Sequence, residues 1–326
     1  MGKKRILSGM RPTGPLHIGH VFGALENWRK LQDEYDCFYM VADWHALMSE
    51  YKDPSGIKEY SRDNAADWIA CGLDPDQSTI FIQSEVPEHT ELHVILSAVT
   101  PISWLERCPT YKEQLKELAQ KEVNNYAFLG YPVLQAADIL IYKANAVPVG
   151  EDQLPHLELT REICRRFNGL YGEVFPEPQA KLTPTPRILG LDRRKMSKSY
   201  GNFIGLSDTP DEIRKKVSGM ITDPERIRLS DPGHPDICNV FSYWQLFAPE
   251  RTDDIARQCR EAEIGCTQDK KDLAEAIIAY LEPIQKKRAE ILEDGTTLDG
   301  ILKRGAEKAR ETALSTMAEV REAIGF

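Results

Sequence analysis

No stretch of the 326-residue sequence approaches the roughly 18 uninterrupted apolar residues of a membrane span. The opening MGKKRILSG lacks the long apolar segment and small-residue cleavage site of a secretory signal, so no membrane association and a cytoplasmic location are the expectation. Close CxxC pairs are also missing. The seven cysteines, Cys37, Cys71, Cys108, Cys164, Cys238, Cys259 and Cys266, are odd in number and scattered, which argues against a disulfide scaffold and makes most of them interior thiols. Basic residues are the minority. Lys and Arg total 41 against 51 Asp and Glu, a formal net charge of −10, which disfavours indiscriminate nucleic-acid binding but leaves room for a local basic strip. What remains is 41% hydrophobic and 28% charged, the balance of a folded chain long enough for a large core and two domains.

The stretch Ile6 to His20, ILSGMRPTGPLHIGH, has the order strand, Gly/Pro turn, helix, with Gly9, Pro12, Thr13, Gly14 and Pro15 breaking the backbone before a helix expected from about Ile18. Such a turn presents amides and a helix N-terminus to an anion. Its glycine spacing matches neither the dinucleotide fingerprint nor the Walker P-loop. Instead, His17 and His20 stand on one side of the helix entrance. Far along the chain, LDRRKMSKSYGN carries Arg193, Arg194, Lys195 and Lys198 with Ser197 and Ser199 between them. A cationic loop of this kind suits closely spaced phosphate oxygens, as phosphoryl or adenylyl transfer requires.

The intervening chain alternates helix and strand patterns. Val21, Phe22, Leu25, Trp28 and Leu31 predict a helix, Cys37 to Ala42 a buried strand, Ser61 to Ala70 a helix, Thr79 to Ile82 a strand, and Leu92 to Val99 another helix. This alternation predicts an α/β, Rossmann-like doubly wound parallel sheet. Asp43, Trp44 and His45 follow a strand's carboxyl end, where open α/β sheets bind ligands, although His45 is equally readable as a partly buried histidine. Trp104 to Gly130 is charged and mostly helical, an ordinary surface in the first instance, with Lys112, Lys116 and Lys121 exposed.

In YPVLQAADILIY, Tyr131 to Tyr142, Asp138 lies among interior candidates, and burying its carboxylate is costly without a donor. An indole N–H is one suitable donor; a cap or pair within the protein is the other, and composition alone favours the latter. Val147 to Glu158 joins a short strand and Gly150 to Glu151, Asp152, Gln153 and His156, groups able to meet a ribose, a base or an ammonium, or to charge a helix N-terminus. A helix through Leu157 and Phe167 is expected to end near Gly169. Beyond the basic loop, strand-like alternation is scarce. Helical patterns at Pro210 to Gly219, Ile237 to Phe247, Leu273 to Ile284 and Ile301 to Val320 predict a C-terminal α-helical domain, with 1–202 and 203–326 as the two domains.

HIGH at His17 to His20 and KMSKS at Lys195 to Ser199, in that order, resemble the two signatures of class I aminoacyl-tRNA synthetases. YPVLQAADIL, VPVGEDQ and HLELTREICRRFN are similar to the tryptophan-specific branch rather than the tyrosine-specific one, over roughly Arg5 to Asn202 and less distinctly through GHPDICNVFSYWQLF. The resemblance implies ATP-dependent ligation of L-tryptophan to tRNA(Trp) through tryptophanyl-adenylate, with Mg2+, in a homodimer whose C-terminal domain receives the anticodon. It implies catalytic roles for His17, His20, Lys195, Lys198 and Lys112. It places ATP at Arg11, Thr13, Gly19, His20, Gly150, Asp152, Lys195, Met196 and Lys198. It assigns tryptophan to Leu7, Tyr131, Gln135, Asp138 and Gln153, with Asp138 accepting from the indole nitrogen and Tyr131 and Gln153 positioning the amino group. No protein-held metal is expected.

Gln135 departs from the commoner bacterial pattern of methionine, which keeps tyrosine specificity or altered indole recognition as an alternative. Cys238, Cys259 and Cys266 resemble part of a four-cysteine iron–sulfur site found in a subset of these synthetases, but Asp269 stands near the place of the last cysteine, so no obligatory cluster is expected. Two rival classes are a nucleotidyltransferase making another adenylate and a synthetase-derived module that binds tRNA or protein without aminoacylation. The complete histidine and lysine sets favour an enzyme.

Overall fold

Four short apolar runs and one polar run make the sheet in the computed structural model of the chain, which describes residues 2–109, 111, 125–182 and 188–326, without the side chains of Asp152 and Ser199. The strands are β1 (Arg5–Met10), β2 (Asp36–Val41), β3 (Ser78–Ile82), β4 (Ala146–Val149) and β5 (Gln179–Leu182). They lie in the order β3-β2-β1-β4-β5, and every pair is parallel, as the sequence pattern predicts. The order reverses between β1 and β4, the point at which an open parallel sheet leaves a crevice beyond its carboxyl ends. The sequence gives no sign of β5. QAKL has no apolar run, and as an edge strand it stays largely exposed.

The chain forms two compact units, cut differently from a division at residue 202. One comprises Met1–Gly14, Glu26–Thr185 and Ile291–Phe326; the other comprises Pro15–Leu25 and Pro186–Glu290. In the first, the sheet is joined by α1 (Asp43–Glu50), α2 (Ile57–Ala70), α3 (Glu88–Val99), α4 (Tyr126–Ile141) and α5 (Leu154–Tyr171). The Asn125 side chain caps α4 by accepting from the Phe128 amide at 2.9 Å, so the helix starts early enough to carry Pro132 within its length. The core of this unit includes Phe38, Phe81, Leu92, Leu96, Ile139 and Phe167, all fully enclosed or nearly so.

The expected helix from Ile18 to Leu31 is three pieces: a turn of α-helix (Ile18–His20), a π-helical segment (Val21–Leu25) and α-helix again (Glu26–Leu31). Such π-segments shift the side-chain phase, which a 3.6-residue pattern cannot register. In the second unit, α6 (Pro210–Ser218) begins with a capping box between Thr209 and Glu212, followed by α7 (Asn239–Phe247), α8 (Thr252–Arg260) and α9 (Cys266–Glu293). Phe22 meets Phe247 edge-on at 5.3 Å and stacks on Tyr280 at 5.5 Å, a small aromatic core that fixes the histidine-bearing segment within this unit. Among the described residues, no helix is long and apolar enough to cross a membrane.

The final helix, α10 (Gly295–Ile324), belongs to the first unit and lies on β3. Ala306, Ala309, Ala313, Met317 and Val320 form its buried face, and a Cβ on Gly305 would overlap the carbonyl oxygen of Ile80. Helix propensity alone credits Gly→Ala with about 1 kcal/mol of stabilisation. Here the clash is with backbone and dominates, so Gly305→Ala is expected to cost about 1–3 kcal/mol in urea unfolding. A raised midpoint would contradict this packing.

Candidate functional site

At the β1/β4 reversal, a cavity of about 310 Å³ opens beyond the strand ends. Its walls are Leu7 to Arg11 from β1 and the following turn, Val147 to Val149 from β4, and the face of α4 carrying Tyr131, Gln135 and Asp138. Those three recur at helical spacing, so one side of α4 supplies all of them. His45 and Met48 of α1 close another wall, and Gln153 and His156 come from the turn and helix after β4. Gly9 is required by the strand pairing itself: a Cβ there would stand 2.5 Å from the Met40 carbonyl oxygen.

Asp138 is the buried charge of this cavity, 2% exposed. Its Oδ1 accepts from Gln83 Nε2 and from His89 Nδ1, each at 2.7 Å, and its Oδ2 accepts from His45 Nε2 at 2.8 Å. Burial would push its pKa up, but the hydrogen bonds from His45 and His89 outweigh it and hold the carboxyl well below the ordinary carboxylate value. The internal pairing considered from sequence is therefore present. A carboxylate offers about four lone-pair sites, so three donors leave room for one more on Oδ2, the oxygen that His45 of the cavity wall also reaches. Tyr131 Oη lies 3.1 Å from His156 Nε2, which fixes the phenol at the other end of the α4 face. Gln135 lies between them, half-buried.

The remaining residues proposed from sequence in the first unit have simpler settings. Arg11 is on the cavity wall, and Thr13 closes a tight turn by donating its amide to the Arg11 carbonyl at 2.9 Å. Gly150 precedes the 3-10 turn Glu151–Gln153, whose last amide returns to the Gly150 carbonyl at 3.0 Å. Lys112 lies outside the described residues, as does the side chain of Asp152.

The second unit gathers the other proposed residues. His17 caps the short helix, its Nδ1 accepting from the Gly19 amide at 3.1 Å, while its own amide donates to His20 Nδ1 at 3.1 Å. Both Nδ1 atoms are acceptors, so the ring proton of each neutral imidazole is on Nε2. Burial, followed by the charge of Lys198, lowers His17 to about 4. Burial, His17 and Lys198 together lower His20 well below its usual value. The two rings lie 3.9 Å apart between centroids.

Backbone pairing sets this pair in place. The Ile18 amide donates to Ile204 O at 3.1 Å and the Leu206 amide to Leu16 O at 3.0 Å. Met196 contacts the same segment: a Cβ on Gly19 would come within 3.0 Å of its Sδ and 2.9 Å of the His17 ring. Lys195 is exposed and Lys198 half-buried. The buried Asn202 organises their loop, accepting from the Ser197 amide at 2.9 Å and donating to Lys195 O at 3.1 Å and to Asp192 Oδ1 at 2.7 Å. Thus the structure brings His17, Gly19, His20, Met196 and Lys198 together within one unit, across a sequence gap that neither motif reveals by itself.

Gln83, His89 and Asn202 escape sequence reasoning. Asp138 signals that a donor must exist but not which, since its partners come from separate elements. In the second unit, Asp269 Oδ1 accepts the Trp244 indole N–H at 2.7 Å, and burial raises the thiol pKa values of Cys238 and Cys259.

The sequence profile of class I tRNA synthetases (W and Y) matches residues 2–282. The tryptophan–tRNA ligase of Thermotoga maritima is 54% identical over 325 residues, covering 99% of each chain, and that of Aquifex aeolicus is 44% identical, covering 99% of this chain and 100% of the relative. The crystal structure of Campylobacter jejuni tryptophanyl-tRNA synthetase complexed with ADP and tryptophan superposes with a TM-score of 0.91 at 35% identity, over 99% of this chain and 100% of that one. The chain therefore belongs to the class I aminoacyl-tRNA synthetases of the tryptophan and tyrosine group, among the tryptophan–tRNA ligases.

Proposed function

We propose that the cavity beyond β1 and β4 binds L-tryptophan, and that His17, His20, Lys195 and Lys198 attend the polyphosphate of ATP, in a chain that ligates tryptophan to tRNA(Trp) through tryptophanyl-adenylate. The observation that carries the reading is Asp138: a buried carboxylate with room for one further donor, on the wall of a cavity that also presents apolar surface from Leu7, Met40, Phe128 and Val147, suits one indole N–H. Phenylalanine would leave that position without a donor, a penalty that pocket shape alone does not supply. Tyr131 and Gln153 take the amino group, with Leu7 and Gln135 against the ring. Arg11, Thr13, Gly19, Gly150, Asp152 and Met196 belong to the ATP site in this reading, and Lys112 is retained with the catalytic set.

In the first step the tryptophan carboxylate oxygen attacks the α-phosphorus, the bond to the β-phosphate oxygen breaks, and pyrophosphate leaves. In the second, a terminal ribose hydroxyl of tRNA attacks the acyl carbon, its proton is lost, and AMP leaves. Neither step needs a protein nucleophile. Positioning and charge do the catalysis. Neutral imidazoles with Nε2–H groups donate to phosphate oxygens without adding fixed charge, while the mobile ammonium of Lys198 follows the leaving pyrophosphate. Mg2+ enters with ATP as its polyphosphate partner; among the described residues no group of three or more His, Cys, Asp or Glu side chains is arranged to hold an ion.

Further proposals rest on the family: a homodimer, cytoplasmic residence, and anticodon recognition by helices of the 203–326 region. We propose no obligatory iron–sulfur cluster because Asp269, near the place of the fourth cysteine in the family's cluster site, supplies a carboxylate instead of a thiol, and that carboxylate accepts the Trp244 indole N–H. Tyrosine specificity is the second reading, favoured by the polar amide of Gln135 within the cavity. Side-by-side ATP–pyrophosphate exchange and charging with matched tRNAs separates the two: tryptophan and tRNA(Trp) are expected to be used, and a preference for tyrosine would overturn the assignment.

Lys198→Ala is expected to slow adenylate formation about 100-fold or more in single-turnover kinetics while leaving tryptophan affinity nearly unchanged. Weakened tryptophan binding with a normal rate would contradict the polyphosphate role. The His17 imidazole resonances are expected to titrate in the free protein with a midpoint of about 4, because burial and then Lys198 depress the charged form. An ordinary midpoint of about 6.5 would contradict the neutral pair.

A further inference from the structure

We propose that His89, backed by Tyr142, is a positioning residue that aims Asp138 at the amino-acid cavity and thereby carries discrimination for an indole N–H over isosteres that lack it. The inference rests on Asp138 being the acceptor of that hydrogen. His89 lies on α3 with 0% exposure and is absent from the cavity wall, so it acts on the ligand only through the carboxylate.

Its protonation follows from its two partners. Asp138 Oδ1 is 2.7 Å from Nδ1, and a bare Nδ1 would set lone pair against lone pair in a site without solvent. Nδ1 therefore carries hydrogen. Nε2 lies 2.7 Å from Tyr142 Oη, and Tyr142 is itself 0% exposed. Burial, with the charges of Asp138 and Glu88, raises the phenol pKa well above its usual value, so Tyr142 keeps its proton, and the Nδ1–H tautomer of the ring accepts that proton's hydrogen bond at Nε2. The result is a directed chain, Tyr142 O–H to His89 Nε2 and His89 Nδ1–H to Asp138 Oδ1.

That chain sets the carboxylate plane. His89 and Gln83 fill the positions on Oδ1, and His45 of the cavity wall takes one on Oδ2, so room for one more donor remains on Oδ2. Gln83 alone on Oδ1 is a single pivot. Without His89, rotation about the bond to the carboxyl carbon becomes possible, and Oδ2 loses its fixed aim. His89 also packs with Phe81 at 6.2 Å and Tyr142 at 5.3 Å between ring centroids, so a purely structural role must be separated from positioning.

The test measures kcat and KM in ATP–pyrophosphate exchange for L-tryptophan and for its benzothiophene isostere, in which sulfur replaces the indole N–H. His89→Leu is expected to lower the tryptophan-to-isostere ratio of kcat/KM about 10- to 100-fold, chiefly through the tryptophan KM, with the ATP KM unchanged. His89→Asn, whose amide reaches the position of Nδ1–H, is expected to recover most of the ratio, and Tyr142→Phe to lose a smaller part of it. Equal loss for both amino acids, or Asn no better than Leu, would overturn the proposal. If His89→Leu fails to fold, an unchanged ratio in Tyr142→Phe overturns it instead. Asp138→Asn separates the two layers: a ratio unaffected by that change removes the indole reading itself, whereas a collapsed ratio there beside an unaffected His89→Leu removes only the role of His89.

Discussion

A carboxylate enclosed at the end of a parallel sheet is the constraint around which the first unit is arranged. Desolvating Asp138 costs several kcal/mol in any protein interior, and each hydrogen bond to the charged group returns about 1.5–3 kcal/mol. Donors from three different elements, Gln83 after β3, His89 on α3 and His45 on α1, converge on one side chain of α4. The network therefore ties those elements to one another and fixes the wall of the cavity. Because the folded pKa of Asp138 is depressed, this contribution is complete above about pH 4 and is lost only as the pH falls through the lower folded value.

As the proposed polyphosphate site, the second unit would face a different electrostatic problem. A phosphate site needs cations for the moment of pyrophosphate release, but an excess of fixed charge in the resting site would bind product as firmly as substrate. Here the histidines are held neutral, with Nδ1 atoms committed to backbone amides and protons left on Nε2. The charge is carried by lysines on a loop that Asn202 braces from within. A glycine at position 19 is dictated by the same arrangement, since a larger residue would strike both the His17 ring and Met196.

Much of this was visible in the sequence, and the omissions have physical causes. Strong local patterns, such as the apolar run of β2 and the helical spacing within α2, announce their elements, and the two short motifs announce phosphate chemistry. Asp138 announced only a debt of hydrogen bonds: its partners lie 49, 55 and 93 residues away, and of the three only His45 stood out in the sequence, at a strand's carboxyl end. β5 was silent because an exposed edge strand needs no apolar run. The π-helical segment Val21–Leu25 was silent because periodicity assumes a constant helical phase. The packing of α10 on β3 likewise depends on a missing side chain, that of Gly305, which carries no hydrophobic signal.

The central claim is that the one free lone pair of Asp138 receives the indole hydrogen. Proton–nitrogen NMR of bound L-tryptophan labelled with 15N in the indole ring tests it most directly. The account predicts a downfield-shifted, slowly exchanging indole N–H that moves back toward its solution position in Asp138→Asn. A bound indole resonance at the free-ligand position, or one indifferent to that substitution, would contradict it.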